Sequence, residues 1–506
     1  MDEGAGFSSG DTVEVVRRGR LRLPHGLRWN LPFYFFSRFF KPGNPILLFE
    51  HLRQFGRAAH YRLLWNDIVL LNDPEDIREV LVDKASVFVK ERTQRRMKIL
   101  LGEGLITADG ESHKRHRRIA APAFHRQRIQ AYAGTIVELA GRRCDGWQDG
   151  GRVDMAAEMM GLALEITART LFDTAVTPEI QAVNDETNAV MEIYNTLIAL
   201  PRAEWMLAAH LPLPTLVRFR RSKRRLDAVV DRMIADKQRE MAARQQRGEE
   251  IGGDVLSMLM AARDDGAEAG SGAKLNSREL RDDVLTIFLA GYETVANALT
   301  WAWKLVSEHP EVEARLAAEV AAVLGGRAAT LEDLPQLKYT EMVVAEAMRL
   351  YPPAWAMGRQ ATEEVEIGPY RLPKGCFVFF SQYIVHRDAR YFPRPEVFDP
   401  ERFAPEAKGQ RPKFAYFPFG GGGRQCIGES FAWMEAVLVM ATAMQRWRME
   451  LEPGQRIEVQ PKITLRPAGP VWMRLQARRT EAGRTAAGRA ATGRAATSRT
   501  NQEAMA

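Results

Sequence analysis

Residues 419–428 read Phe-Gly-Gly-Gly-Gly-Arg-Gln-Cys-Ile-Gly. Glycine has no Cβ, so such a run can pass close to a flat ligand, take up positive φ angles and aim successive N–H groups at one point. A helical pattern follows at once, from Glu429 to about Trp447 through Phe431, Met434, Val437, Leu438 and Met444. Cys426 thus stands between a glycine loop and a helix N-terminus. Arg424 and the partial positive charge of that helix end would both lower its pKa and favour a thiolate.

Zinc is the first rival for this cysteine, but a structural zinc site needs about four ligands, usually in close pairs. Cys144 and Cys376, the only other cysteines, are distant in sequence. A count of three does not suggest a disulfide framework. A single thiolate beneath a wide, flat, apolar cofactor fits best, and thiolate-ligated haem is such a case. On the loop alone, an ordinary buried cysteine stays open. The stretch resembles the haem-ligand signature F-x-x-G-x-R-x-C-x-G of the cytochrome P-450 family at every fixed position: Phe419, Gly422, Arg424, Cys426 and Gly428. That resemblance runs from about Pro45 to Leu475. It implies a mainly α fold with a small β region, the cytochrome P-450 fold, and haem b (iron protoporphyrin IX) with Cys426 as iron ligand.

Composition sets outer bounds. The chain has 506 residues, 46% of them apolar, and a net charge of +7. Part of that charge sits in 478–506, where Arg484, Arg489, Arg494 and Arg499 recur amid Ala, Gly and Thr. That period matches neither helix nor strand, so the segment reads as a disordered basic tail. Without interleaved aromatics it does not suggest nucleic-acid binding. Residues 1–44 read as an N-terminal extension and 45–477 as the haem domain. No apolar run is long enough for a transmembrane anchor, and Met1–Thr12 lacks the order of a signal peptide. Leu31–Phe40 is aromatic and short; it reads as a segment packed on its own domain or as a weak peripheral membrane contact. Unpaired cysteines agree with a cytoplasmic protein, and the lack of an anchor resembles the soluble bacterial type of the family.

Along the chain, Tyr61–Leu64 and Ile68–Leu71 read as a hairpin. Asp73 and Pro74 read as an N-cap and first helical residue. Residues 88–110 read as a loop with a short helix; the resemblance sets it over the substrate, with Leu101 among its lining residues. His113 to Arg118 is a basic helix. The family's W-x-x-x-R pattern, whose side chains bind a haem propionate, falls here on His113 and Arg117. Residues 129–263 read as almost wholly helical.

Asn276 with Glu279 resembles a capping box, opening a helix that runs to about His309. At its centre stands Ala290-Gly291-Tyr292-Glu293-Thr294. Thr294 can bond back to the Ala290 carbonyl, and Gly291 would leave space beside it, making a notch for dioxygen or water. A tolerated glycine in a packed helix is the plain alternative. The segment resembles the family motif A/G-G-x-D/E-T, which implies a proton relay through Glu293 and Thr294, with Phe288 and Ala290 near substrate. Glu346 and Arg349 have the spacing of a surface ion pair. The family's E-x-x-R motif implies instead a buried network with Arg402 that steadies the cysteine loop. The resemblance also sets Arg359 against a propionate, and Ala354 and a hairpin tip at Leu465 against substrate.

The expected reaction is insertion of one atom of O2 into a small lipophilic substrate. Electrons would come from a ferredoxin or flavodoxin with an NAD(P)H-dependent reductase, steered by Lys114, Arg115, Arg118, Lys408, Arg411 and Lys413. A peroxide-driven peroxygenase and a non-catalytic haem sensor are the alternatives; the acid–alcohol pair argues against both.

Overall fold

The computed structural model describes residues 15–18, 21–30, 44–63, 66–174, 214–249, 252–262, 275–407 and 409–478. The aromatic segment Leu31–Phe40, the expected linker 264–274, Lys408 and the tail beyond 478 lie outside the described residues.

The helix Ser277–Glu308 is the axis of the fold. Its capping box is complete: Asn276 Oδ1 accepts from the N–H of Arg278 and of Glu279, and Glu279 Oε2 accepts from Asn276 N–H. Those bonds satisfy N–H groups that a helix start otherwise leaves open. The helix is buried on nearly every side, with Trp301 and Trp303 among its enclosed residues. A helix buried all round needs neighbours on all faces. Met155–Leu171 packs along it, as do Lys338–Leu350 and Glu429–Arg446; Ala133–Asp145 lies against the last of these. One continuous apolar core joins them.

A six-stranded sheet lies to one side, in the order Gly26–Asn30, Ala58–Leu63, Asn66–Leu71, Phe377–Phe380, Met357–Ala361, Phe88–Lys90. Its central hairpin is antiparallel and slightly longer than expected, and Phe377–Phe380 runs parallel to Asn66–Leu71. Val15–Arg18 and Leu21–Pro24 form a second sheet with Tyr370–Leu372 and Val365–Ile367. Residues 15–30, expected in an extension, therefore pair with strands of the main body. Their arginine-rich pattern hides this, because the partners lie far along the chain. The stretch expected to be almost wholly helical is interrupted by the strand Arg152–Asp154, which borrows its ladder from Trp472–Arg474. A last hairpin joins Val459–Pro461 to Leu465–Pro467.

Asp73 caps its helix through Glu75 N–H, with Pro74 in the first turn. The coil then widens into a π-helical turn at Glu79–Asp83. Such turns expose backbone groups that an α-helix would use, and here the Leu81 carbonyl faces the glycine loop.

Candidate active site

The glycine loop is shaped by two left-handed residues, Gly420 with φ +74° and Gly422 with φ +67°. Phe419 closes it: its carbonyl accepts from Cys426 N–H at 2.9 Å, and its ring lies against Trp433. Gly428 is the N-cap residue of Glu429–Arg446, and its N–H is directed at the Cys426 sulfur. Cys426 keeps open surface, yet burial raises its thiol pKa. Together these mean that the sulfur faces a space walled by protein instead of bulk water.

Arg424, expected to lower the Cys426 pKa, is not among the charges acting on it. Its guanidinium donates instead to Asp109 Oδ1 at 2.6 Å and Ala108 O at 3.0 Å. The Gly428 N–H and the charge of Arg117 are what oppose the upward push on Cys426. Arg117 itself donates to Gln425 O at 2.6 Å, so it holds the backbone just before the cysteine.

Above the loop, positive charge collects. His113, Arg359 and Lys90 are 6%, 7% and 6% exposed. Lys90 and Arg359 stand directly opposite each other on antiparallel strands, an arrangement that like charges make unfavourable. Burial and then Arg424 depress Lys90 to about 6 and Arg359 to about 10. Burial, Arg424 and Lys90 push His113 down to about 3, so its ring is neutral and donates through one N–H. Arg359 spends Nη1 on its own neighbour, Gly358 O. Asp109, the carboxylate that draws on this group, is already bonded to Arg424. The cations of this group, Lys90, Arg359 and Arg424, outnumber the carboxylates that draw on them, Asp109 and Glu91, which suits a ligand bearing two carboxylates, as haem b does. Lys90 was absent from the expected residues; a lysine ending the strand Phe88-Val89-Lys90 was the signal that could have found it.

On the long helix, Thr294 Oγ1 donates to Ala290 O at 2.9 Å. Glu293 Oε1 accepts from Thr464 Oγ1 at 2.5 Å, a partner 171 residues away. Gly291 does not open the expected notch. A Cβ there would lie 3.0 Å from Thr167 Cγ2, so the glycine serves the close approach of Met155–Leu171. Ala290, Glu293, Thr294 and Ala354 keep partly open surface. Leu101, Phe288 and Leu465, expected to line substrate, are packed into the core at 2%, 1% and 0% exposure. Apolar burial takes precedence for them over an open lining position.

The Glu346–Arg349 pair is fully enclosed. Arg349 donates from Nε and Nη2 to the two Glu346 oxygens at 2.6 and 2.7 Å, and further to the carbonyls of His386, Pro395 and Val397. Asp399 N–H donates to Glu346 Oε1 at 3.0 Å, and Arg402 Nε stands 3.3 Å from the same oxygen as an ion pair. Satisfying the partners in this way is what makes a buried pair tolerable. Through His386, whose Nε2 accepts from Phe417 N–H, the network reaches the segment entering the glycine loop.

The expected basic patch is narrower than the sequence suggests. Arg115 is paired with Glu279 at 2.7 Å, and Arg411 lies over the rings of Phe392 and Phe403. Lys114, Arg118 and Lys413 are exposed, although Lys114 donates to Glu111 Oε1 at 2.6 Å. Among the described residues no helix is long and apolar enough to cross a membrane.

The family model described as Cytochrome P450 matches residues 24–472. Cyclooctatin synthase of Streptomyces melanosporofaciens is 39% identical over 438 residues, covering 85% of this chain and 90% of that protein. Cyclooctat-9-en-7-ol 5-monooxygenase of the same organism is 35% identical, covering 81% and 86%. Pentalenene oxygenase of Streptomyces avermitilis is 34% identical, covering 80% and 87%.

Proposed function

Given that the chain belongs to the cytochrome P450 family and is a haem-thiolate monooxygenase, we propose that it oxidises a cyclic, lipophilic terpenoid and that Glu293 and Thr294 deliver the protons the reaction needs. The names of two relatives support the substrate class: one specifies an alcohol, cyclooctat-9-en-7-ol, and the other a hydrocarbon, pentalenene.

Haem b, when bound, supplies dioxygen binding and oxygen-atom transfer, with the thiolate donating electron density. The protein's part is holding, orienting and proton movement. Lys90, His113 and Arg359 would meet the two propionates, Gly428 N–H and Arg117 fix the cysteine, and the Glu346–Arg349–Arg402 network steadies the approach to it. Thr294 holds its hydroxyl on the Ala290 carbonyl, so its oxygen remains free to accept from water and its proton can be passed on. Glu293, one residue earlier, supplies the acid that recharges it.

The single observation carrying the relay is the Thr294–Ala290 bond beside an adjoining glutamate, both side chains partly open. Thr294→Ala should lower product formed per NAD(P)H by about tenfold or more, with the difference appearing as peroxide. A variant that keeps the wild-type ratio refutes the relay. For the substrate, cyclic terpene hydrocarbons and alcohols should shift the Soret band of the ferric protein towards high spin, and fatty acids of similar size should not.

Electrons come from a redox partner, and we infer a separate ferredoxin or flavodoxin. Three cysteines are too few for a four-cysteine iron–sulfur cluster within the sequence. Exposed Lys114, Arg118 and Lys413 supply positive charge for an acidic donor.

A further inference from the structure

The turn of the Val459–Pro467 hairpin is bonded to the long helix at three points along one face. Glu293 Oε1 accepts from Thr464 Oγ1 at 2.5 Å, Asn297 Nδ2 donates to Thr464 Oγ1 at 3.3 Å, and Trp301 Nε1 donates to Leu465 O at 3.2 Å. The helix residues are spaced by four, so they lie on one stripe. On its other side the turn is bonded to the segment around Ala354. Leu465 N–H donates to Pro353 O at 2.9 Å, and Trp355 Nε1 donates to Lys462 O at 2.8 Å.

The direction of the bonds is informative. Asn297 offers its amide nitrogen, which can only donate, so the single Thr464 proton points at Glu293. Glu293 is therefore an acceptor held on the hairpin, while the Thr294 proton rests on Ala290 O. Neither residue of the acid–alcohol pair is bonded to the other.

We propose that Thr464 is a positioning residue that latches Glu293 to the hairpin until substrate is bound. Substrate pressing on Ala354 moves the segment to which the turn is bonded, the Thr464 hydroxyl leaves the carboxylate, and Glu293 exchanges it for water that leads towards Thr294. No covalent bond changes in this step; one hydrogen-bond donor replaces another. Proton delivery is thereby tied to occupancy, which keeps reducing equivalents from being spent without substrate. The inference rests on the relay assigned above to Glu293 and Thr294.

The test uses the haem-loaded full chain with a ferredoxin and its NADPH-dependent reductase. Thr464→Val removes the hydroxyl at nearly constant shape. It should raise NADPH oxidation in the absence of substrate about two- to tenfold, the net worth of the bond to Glu293; the bond from Asn297 to the same oxygen goes with it. Thr464→Ser, which keeps the donor, should restore the wild-type rate. In the ferric protein without reductant, backbone amides of 462–466 should exchange hydrogen faster in the valine variant and not in the serine variant. Thr464→Ala serves in the same way if valine is not accommodated. An unchanged substrate-free rate overturns the latch, and so does a raised rate that serine fails to restore, since that would be a packing effect. If Thr294→Ala uncouples turnover but the Thr464 variants behave as wild type, the latch alone falls. If Thr294→Ala stays coupled, the relay itself falls.

Discussion

Gly422 is where the cysteine loop has least freedom. A Cβ there would sit 2.0 Å from the Leu81 carbonyl oxygen, on a backbone with φ +67°. Gly423, its neighbour, has nothing within 4 Å of the same position. Gly422→Ala should therefore cost about 1–3 kcal/mol for the backbone conformation alone, with further loss from displacing the π-helical turn. The expected outcome is a lower unfolding midpoint and less Soret absorbance per protein, while Gly423→Ala retains both. Four glycines in a row announce a loop of this kind but not which one is indispensable, because the obstructing carbonyl lies far upstream. The same limit explains other differences. The Thr294–Ala290 bond spans four residues and is legible in the sequence. The Arg117–Gln425 and Glu293–Thr464 bonds span 308 and 171 residues, and no local pattern marks them. Gly291 shows the opposite error: a local motif suggested space, and a side chain from another helix takes it.

Between elements, the start of the long helix grips the loop that precedes the basic helix Gly110–Ala120. Asp282 Oδ2 accepts from Glu103 N–H and Asp283 Oδ1 from Leu105 N–H, at 2.8 and 2.7 Å. His116 Nδ1 lies 2.7 Å from Asp283 Oδ2, the two side chains 1% and 0% exposed. Burial alone would lower the His116 pKa, but the Asp283 carboxylate outweighs it and the net direction is up. A raised folded value means the stabilisation is fully present below the unfolded value of about 6.5 and is lost as pH rises through the raised one. The unfolding midpoint should fall over that window in the wild type, and less steeply in His116→Gln. At pH 6 the variant should be the less stable by up to about 3–5 kcal/mol, lessened to the extent that Asp283 takes up a proton. Parallel pH dependences in urea titrations would remove the assignment. The capping box at Asn276 and the E-x-x-R pair were readable because each lies within one helical turn. The three-residue strand Arg152–Asp154 was not, since too few residues alternate there to outweigh the helical signal on both sides.

For the molecule as a whole, the imbalance of charge above the cysteine loop links folding to cofactor. Lys90, His113, Arg359 and Arg424 come from four separate stretches of chain, and the carboxylates that draw on them are Asp109 and, at Arg359, also Glu91. Burial and the surrounding cations push Lys90 down to about 6, whereas in the unfolded chain it stays near 10.4. Between these values the unfolded chain binds a proton that the folded one lacks, so the apoprotein gains stability as pH rises through that window. Propionates beside Lys90 would restore its charge and flatten the dependence. Removing haem should therefore lower the melting temperature most at the acid end of the range. Between pH 6.5 and 9 the apoprotein should regain at least about 2 °C relative to the holoprotein. Lys90→Met takes away the titrating group while keeping an apolar stem of similar length, so its apo and holo curves should run parallel. Calorimetry of the four samples decides the matter. If the wild-type apo and holo curves are already parallel, the carboxylates of the cofactor do not answer Lys90, and the cluster must be balanced by other charges.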